Sequence, residues 1–175
     1  MEKARKKTDI IVPRLVADAS SLILLQQLGL LKRFARPRRF QTTAHIFSEL
    51  EKGASESERD EFKESVVIHD VNINIDADLP SKLSLADASV LVLYHHGNSD
   101  AVLSEDRILL TYCKKKNIVH YCCLSLLSPL VQSGLLTDIE ARTLFPKIAN
   151  AGRYSNRVIE IAQEMLMHSI RNRRA

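Results

Sequence analysis

The chain has 175 residues, of which 45% are hydrophobic, a length and composition typical of one globular domain with a full core. No apolar stretch approaches the roughly 18 to 20 residues of a membrane span, and residues 1–10 carry charge without the apolar block of a secretory signal. These features exclude a membrane protein and predict a cytoplasmic one.

The formal net charge of +4 is distributed unevenly. Residues 2–7 contain four positive charges and one negative charge, and the C-terminal arginines 171, 173 and 174 add three positive charges, so the rest of the chain is slightly acidic. We expect residues 1–12 to be a basic tail, residues 13–153 to be one domain, and residues 154–175 to be a helix that docks on this domain or on a dimer partner.

Short apolar runs alternate with longer helical patterns along the first part of the chain, which is typical of parallel βα units. The run "RLVADA" predicts a first strand that leads into a helix over 20–35, apolar on most faces and ended by Pro37. "RFQTTA" predicts a second strand, and "HIFSELEKG" predicts a helix with Gly53 in the capping position.

The middle of the chain continues the same alternation. Residues 54–64 are highly charged and fit either a solvated helix or a surface segment, and "SVVIHDV" predicts a third strand near a sheet edge. "LADASVLVLYHHG" then predicts a buried helix, "AVLSED" a strand, "DRILLTYCKKKN" a helix and "IVHYCC" a last strand.

Beyond residue 123 the sequence is predicted to be helical, over 124–136, 138–152 and 155–173. In the last helix Val158, Ile161, Ala162, Met165 and Ser169 are predicted to share one face, with Ile159, Leu166 and Ile170 beside it. This stripe is predicted to dock on the domain or on a partner. The fold class is therefore α/β, with a central parallel sheet of four or five strands and extra C-terminal helices.

The cysteines and histidines do not form a metal-binding pattern. Cys113, Cys122 and Cys123 are odd in number and lack a paired spacing, so we expect reduced thiols in packed positions. His95 and His96 stand just before Gly97, where a helix is expected to end, and this position favours a polar helix terminus over a ligand pair.

Four carboxylates are predicted to reach the same edge of the sheet. Asp18 ends the first strand, Asp106 follows the fourth, Glu49 lies on the helix after the second, and Asp87 is in the first turn of the buried helix. Functional groups of an open parallel sheet collect outside the carboxyl ends of its strands, where the strand order reverses. The four acids meet there if the first and fourth strands are neighbours.

Each acid also has a purely structural explanation. Asp18 and Asp106 are good N-cap residues, a role worth about 1 kcal/mol each, and Ser84 and Asp87 have the spacing of a capping box. Capping needs only a polar oxygen, however, and serines are already present beside three of the acids. We expect Ser20 or Ser21 to cap the first helix and to leave the Asp18 carboxylate free. The coincidence of four acids at equivalent places favours a function.

The chemistry of four close carboxylates indicates a divalent cation. Such groups repel one another, and a hard cation such as Mg²⁺ relieves the repulsion while it keeps water ligands for reaction. One or two such ions would support in-line hydrolysis of a phosphodiester. Other acid-rich α/β sites fit less well, since a dehalogenase-type phosphatase needs an aspartate where Ser20 stands, and neither a P-loop nor a GxGxxG turn is present.

Several of these segments, in this order, resemble the PIN-domain nucleases, particularly the branch that includes the VapC-type toxins. They are "RLVADASSLILLQQLGLL", "TTAHIFSELEKG", "LSLADASVLVLYHHGNSDAVLSEDRILLTYCKKKNIVH" and "LLSPLVQSGLL". The resemblance covers about residues 13–160 and implies a three-layer α/β/α domain with Mg²⁺- or Mn²⁺-dependent endoribonuclease activity. A Cys122-Cys123 pair stands where the family usually has Gly, Ser or Thr.

The resemblance also implies roles for particular residues. Asp18, Glu49, Asp87 and Asp106 fall on the family's four catalytic and metal-binding acids, and Ser20 and Ser104 fall on small polar positions beside the metal. An RNA substrate would be attracted by the basic clusters, and the candidates are Lys32, Arg33, Arg36, Arg38 and Arg39, together with Lys114, Lys115 and Lys116. A solvated surface explains the same clusters equally well.

Two readings of function remain open from the sequence. The preferred one is a metal-dependent endoribonuclease. The resemblance extends this expectation to the toxin of a type II toxin-antitoxin pair, with a small antitoxin as partner and a homodimer as the expected assembly. The alternative is a catalytically inactive or accessory PIN scaffold that binds RNA or protein. Loss of acids would mark the alternative, and all four acids are present.

Overall fold

A five-stranded sheet, parallel throughout, forms the centre of the computed structural model, which describes residues 13–36, 39–73, 79 and 81–174. Its strands, in chain order, are β1 (Leu15–Ala17), β2 (Phe40–Thr43), β3 (Val66–His69), β4 (Ala101–Leu103) and β5 (His120–Tyr121). The strand order is β3-β2-β1-β4-β5. The predicted parallel α/β sheet is confirmed, and "SVVIHDV" supplies an edge strand as expected.

Helices connect and flank these strands. They are α1 (Ala19–Gln27), α2 (Leu31–Phe34), α3 (Ala44–Gly53), α4 (Glu56–Ser65), α5 (Leu85–Leu93), α6 (Arg107–Lys115), α7 (Leu127–Gln132), α8 (Asp138–Gly152) and α9 (Asn156–Arg174). From the centre of the sheet, β1, β2 and β3 follow one another toward one edge, and β4 and β5 follow one another toward the other edge. Because crossovers between parallel strands are right-handed, the connecting helices lie on both faces of the sheet. The result is the three-layer arrangement that the PIN resemblance implies.

The two central strands, β1 and β4, are buried along their whole length. Every residue of β1 and β4 is buried, and Leu15 pairs with Phe40 on one side and with Ala101 on the other. Such strands are recognised by continuous apolar runs rather than by alternation, as in other parallel sheets. β1 and β4 are neighbours, so the strand order reverses between their carboxyl ends.

The first predicted helix is wrong in its length. The helix expected over 20–35 is divided into α1 and α2, and Gly29 between them has a φ of +67°. That left-handed conformation costs glycine little and ends a helix. The residue that was expected to stop the helix, Pro37, lies outside the described residues, as do residues 1–12 and Arg38.

Two further boundaries differ from the prediction. Gly53 is the last residue of α3 and Ala54 occupies the C-cap, so the glycine is not the cap. The charged segment after it is the helix α4, which begins with a capping box between Ser55 and Glu58. The helix predicted to continue to Gly97 ends as α5 at Leu93 and is followed by a wider turn over Tyr94–Asn98, which contains the exposed His95 and His96.

The C-terminal helix α9 docks on α7, but through only part of the predicted stripe. Ala162, Leu166, Ser169 and Ile170 are buried. Val158, Ile161 and Met165 were expected on the same face and are instead 37%, 48% and 38% exposed. The Ser169 hydroxyl is hydrogen-bonded to Ser128 and Gln132 of α7 at 2.7 and 2.9 Å, and these polar contacts fix which side of α9 faces the domain.

Among the described residues, no helix combines the length and the apolar character needed to cross a lipid bilayer.

Candidate active site

Asp18 lies at the carboxyl end of β1, beside the reversal of strand order, and is 2% exposed. Its Oδ1 accepts a hydrogen bond from the backbone N–H of Ser21 at 2.8 Å, which makes Asp18 itself the N-cap of α1. The expectation that a serine would cap this helix is therefore wrong. The helix start contributes to the position of the carboxylate, because the cap bond restricts its orientation.

The second oxygen of Asp18 accepts three further hydrogen bonds. Oδ2 accepts from the hydroxyls of Ser20, at 2.9 Å, and Ser104, and from the backbone N–H of Glu105 at 3.2 Å. Both serines that the PIN resemblance places near a metal thus hold the first acid. Charge-assisted bonds of this kind are among the stronger ones in proteins, so this carboxylate is tightly held.

Asp106 is joined to Asp18 through Ser104. The Ser104 hydroxyl, buried at the end of β4, accepts the backbone N–H of Asp106 at 2.9 Å while it donates to Asp18. Asp106 caps α6 by accepting the Leu109 N–H at 2.7 Å through Oδ1. Its Oδ2 has no hydrogen-bond partner among the described residues, so this oxygen is available to a ligand.

Asp87 is half-buried in the first turn of α5. Ser84 caps this helix by accepting the Asp87 N–H at 3.0 Å, and the Ser84 hydroxyl donates to Asp87 Oδ2 at 2.6 Å. The predicted pairing of Ser84 with Asp87 is present. Within the described part of the chain, Asp87 Oδ1 accepts no hydrogen bond.

Glu49 is exposed on α3, and a buried polar contact joins its helix to α5. Thr43 ends β2 and caps α3 by accepting the Ile46 N–H at 3.2 Å. The hydroxyls of Thr43 and Ser89 are 2.5 Å apart, and both residues are fully buried. This contact fixes the helix that carries Glu49 against the helix that carries Asp87.

Asp87 is near enough to the three other acids for their charges to act on it. Burial raises the pKa of Asp87, the negative charges of Asp106, Asp18 and Glu49 raise it further, and the Ser84 hydrogen bond opposes them. Since Asp87 senses the charge of all three other acids, the four carboxylates share one electrostatic environment at the carboxyl edge of the sheet.

Comparison with known proteins identifies this arrangement. A family model described as a PIN domain matches residues 14–166. The chain belongs to the PIN-domain family. No curated protein and no solved structure shows significant similarity to it. PIN domains are generally nucleases, and the matched range contains all four acids and both serines.

PIN nucleases typically use divalent metals, and the donor chemistry of this site fits them. All four side chains offer carboxylate oxygens, the ligands that Mg²⁺ and Mn²⁺ prefer. Among the described residues, no three His, Cys, Asp or Glu side chains already stand as a metal-ligand group. A cation would offset both the burial of the Asp87 charge and its repulsion by the other three acids, and Glu49 is exposed on α3.

Glu105 is a residue of this PIN domain that the sequence reading missed. Its N–H binds Asp18, and its Oε1 accepts the backbone N–H of Cys123 at 2.6 Å, so it connects the loops that follow β4 and β5. Burial raises the pKa of Glu105. In the sequence, Glu105 is marked only by its place beside Asp106 in "SED". Its hydrogen bond with the Cys123 N–H joins residues that only the fold brings together.

Tyr154 covers Glu105 from the junction of α8 and α9. Its ring lies over Gly152, and its Oη is buried without a hydrogen-bond partner of regular geometry among the described residues. Burial and the nearby charge of Glu105 raise the pKa of Tyr154. The neutral phenol is thus the form that this position accommodates.

The predicted basic cluster around α2 lies away from the acids. Lys32 forms an ion pair with Glu64 at 3.0 Å, and Arg33 forms one with Glu140. Arg36 is exposed, and Arg39 immediately precedes β2, at the amino edge of the sheet opposite to Asp18. Of the predicted basic residues, Lys114 is on α6, the helix that Asp106 caps.

The cysteines are packed thiols, as expected. All three are free, with Cys113 and Cys123 buried and Cys122 partly buried. Burial raises the pKa of Cys113 to about 11, which keeps its thiol protonated at neutral pH. The Cys122-Cys123 pair follows β5, and the Cys123 backbone binds Glu105.

Proposed function

We propose that this PIN domain is a metal-dependent endoribonuclease that hydrolyses RNA phosphodiester bonds. The observation that supports the proposal most directly is the coupling of Asp87 to Asp18, Glu49 and Asp106 at one edge of the sheet. Those acids come from four separate elements, and helix capping alone does not require their convergence. The family's general nuclease activity and the oxygen-only donor set support the same conclusion.

The four acids would hold Mg²⁺ or Mn²⁺, and such an ion, when bound, polarises the phosphoryl oxygen and lowers the pKa of water. Asp18 is the fixed member of the set, because both of its oxygens are held by hydrogen bonds. Asp87 and Asp106 each keep one oxygen without a partner among the described residues, and these oxygens would bind the ion. Glu49, the exposed member, orients water at the open side.

The test is RNA cleavage by the parent protein and by Asp18→Asn and Asp106→Asn, with structured and unstructured RNAs, in Mn²⁺ and in EDTA. We expect cleavage by the parent only with metal, and a loss of at least about 100-fold in each variant, since each removes a charged ligand. Asp60→Asn, an exposed aspartate on α4, is the matched control. Mapping the cut ends separates endonucleolytic from end-directed cleavage.

Two results would contradict the proposal. One is folded Asp18→Asn or Asp106→Asn protein that cleaves RNA at the parent rate. The other is parent protein that binds RNA but does not cleave it in Mg²⁺ or Mn²⁺, which would support the accessory PIN scaffold instead. Thermal denaturation adds an independent readout, because a divalent cation held by the acids stabilises the fold beyond NaCl of equal ionic strength.

The proposed partners follow from the resemblance to VapC-type toxins. We propose a small antitoxin that covers the acidic site and a homodimer that uses α9, whose Ile161 and Met165 are apolar and partly exposed. Light scattering of the parent and of Ile161→Glu measures the assembly. Co-expression with the product of a neighbouring reading frame tests the antitoxin, and restored growth of cells that express the nuclease is the expected result.

A further inference from the structure

A groove lies beside the candidate site, between α6 and the junction of α8 with α9. Its volume is about 690 Å³, and Glu105 and Arg107 stand at the end next to Asp106. The other cations that line it are Lys114, Arg153 and Arg157. The cluster of four cations, Arg107, Lys114, Arg153 and Arg157, is here called the α6–α9 basic groove.

These four cations are exposed, and their side chains make no polar contact that stabilises the described part of the fold. Within the described part of the chain, none of the four side chains takes part in an ion pair or a hydrogen bond. Lys32 and Arg33 in the α2 cluster instead pair with acids. The α6–α9 basic groove has four cations against one acid, Glu105, and so offers the net positive charge that a polyanion binds.

One wall of the groove is formed by α6, the helix that Asp106 caps. Arg107 and Lys114 are seven residues apart on α6, so they lie on one face of that helix about 10 Å apart along its axis. Arg107 directly follows Asp106, the residue that caps the same helix. A chain lying along this face therefore leads toward the start of α6, where Asp106 stands.

The opposite wall adds to the positive potential. Arg157 is in the first turn of α9, where Ser155 accepts the Val158 N–H at 3.4 Å. The positive end of the dipole of this 19-residue helix thus adjoins the groove. Arg153 reaches the same groove from a left-handed turn with a φ of +52°. Glu105 is the acid in the lining, and it is held by the Cys123 N–H.

We propose that the α6–α9 basic groove binds the phosphate backbone of the RNA substrate and delivers the strand to the four acids. This inference rests on the proposed function, since it assigns the substrate path to that site. An RNA strand fits better than an acidic protein segment because Arg107, which lines the groove, directly follows Asp106, one of the acids that would cut the strand. Backbone contacts of this type position a strand without reading its sequence.

The test compares two double variants that each remove one lysine and one arginine. Lys114→Ala with Arg157→Ala removes exposed charges from both walls of the groove, and Lys32→Ala with Arg36→Ala removes the same charges from the α2 cluster. Binding of a fluorescent single-stranded RNA is measured by anisotropy in EDTA over a series of salt concentrations. Thermal denaturation checks that both proteins are folded.

We expect the groove variant to bind RNA at least about tenfold more weakly at 50 mM salt. The slope of log K against log salt should fall by about 1.4, which is about 0.7 for each lost phosphate contact with a single strand. The α2 variant should stay within about twofold of the parent. Variation of the RNA sequence should not change the ratio between the parent and the groove variant.

Equal losses of RNA affinity in the two double variants, or a loss of affinity only in the α2 variant, would overturn the inference. So would unchanged RNA binding by a groove variant that loses affinity for a polyglutamate peptide, because the groove would then be a protein-binding surface. Binding in EDTA does not depend on cleavage. A parent that binds through the groove but never cuts contradicts the proposed function alone, whereas a groove variant that binds and cuts RNA like the parent contradicts this inference alone.

Discussion

The hydroxyl of Ser104 donates a hydrogen bond to Asp18 Oδ2 and accepts one from the backbone N–H of Asp106. One buried side chain thus contacts two acids that follow neighbouring strands and are 88 residues apart in the sequence. The bond to Asp18 crosses the point where the strand order reverses. Ser104 is therefore a positioning residue for the candidate site.

Ser104→Ala should lower kcat about 10- to 100-fold and raise the Mn²⁺ concentration needed for half-maximal activity, because both acids lose their shared support. Ser104→Thr keeps the hydroxyl and should recover most of the rate. Ser20→Ala is the matched control, since Ser20 donates to the same oxygen but is exposed and holds only Asp18. Equal effects of the Ser20 and Ser104 variants on kcat and on metal requirement would contradict the linking role.

Asp87→Asn should raise the melting temperature in EDTA at pH 7 while it abolishes cleavage. The pKa of Asp87 is raised in the fold, so the folded state binds its proton more tightly than the unfolded state does, and the stability from this proton is lost as pH rises above the ordinary value of 3.8. At neutral pH the carboxylate therefore destabilises the metal-free fold, and asparagine removes that penalty.

Thermal denaturation in EDTA between pH 3 and pH 7 checks whether Asp87→Asn raises or lowers the melting temperature. The difference between Asp87→Asn and the parent should grow as pH rises and should shrink when Mn²⁺ is added to both. Asp60→Asn, on an exposed part of α4, should show no such trend. A variant that is less stable than the parent at pH 7 in EDTA would contradict the penalty that burial and the neighbouring acids place on this carboxylate.

The sheet and the acids could be predicted because their signals are local. A buried parallel strand is a short apolar run, and an acid immediately after it must lie at the carboxyl edge, so Asp18 and Asp106 were placed by chain position alone. The place of Asp87 in the first turn of its helix was predicted from its capping-box spacing with Ser84. Glu49 was placed by its position on the helix after the second strand, and the family resemblance then matched it to a catalytic acid, since an exposed glutamate carries little local signal of its own.

The parts that could not be predicted depend on contacts between distant residues. α9 has two adjacent apolar stripes, and the polar contacts of Ser169 with α7 decide which one is buried. Glu105 acquires its place from the Cys123 backbone. The basic residues beside α2 are adjacent in sequence to the conspicuous apolar run, but the crossover from β1 to β2 carries them to the opposite edge.

Glu140→Gln should lower the melting temperature at pH 7 but not at pH 2. The Thr137 N–H, followed by the Arg33 guanidinium and the Thr137 hydroxyl, lowers the pKa of Glu140 from 4.5 to about 2. A lowered carboxyl pKa contributes stability that is fully present above the unfolded value and is lost as pH falls toward the folded value. The deficit of the variant should therefore disappear between pH 4.5 and about 2.

Denaturation of the parent and of Glu140→Gln across this pH range measures the effect, with Glu164→Gln, an exposed glutamate on α9, as the control. High salt should reduce the contribution of Arg33, because this ion pair is exposed, and should leave the capping contribution of Thr137 largely in place. A deficit that stays constant from pH 7 to pH 2 would show that the substitution acts through packing and not through charge.

Gly152→Ala should destabilise the fold by displacing Tyr154. A Cβ at position 152 would lie 2.3 Å from Tyr154 Cε2, far inside any real contact, so the ring must leave its place over the glycine and its cover of Glu105. Overpacking of this kind costs about 1–3 kcal/mol, which at this chain length lowers the melting temperature by about 2–4 °C for each kcal/mol. Gly53→Ala is the control, because a Cβ there meets nothing within 4 Å and Gly53 ends a helix at ordinary φ. Tyr154→Ala combined with Gly152→Ala should be little less stable than Tyr154→Ala alone, since the clash needs the ring. Additive losses in that double-mutant cycle would refute the contact as the cause.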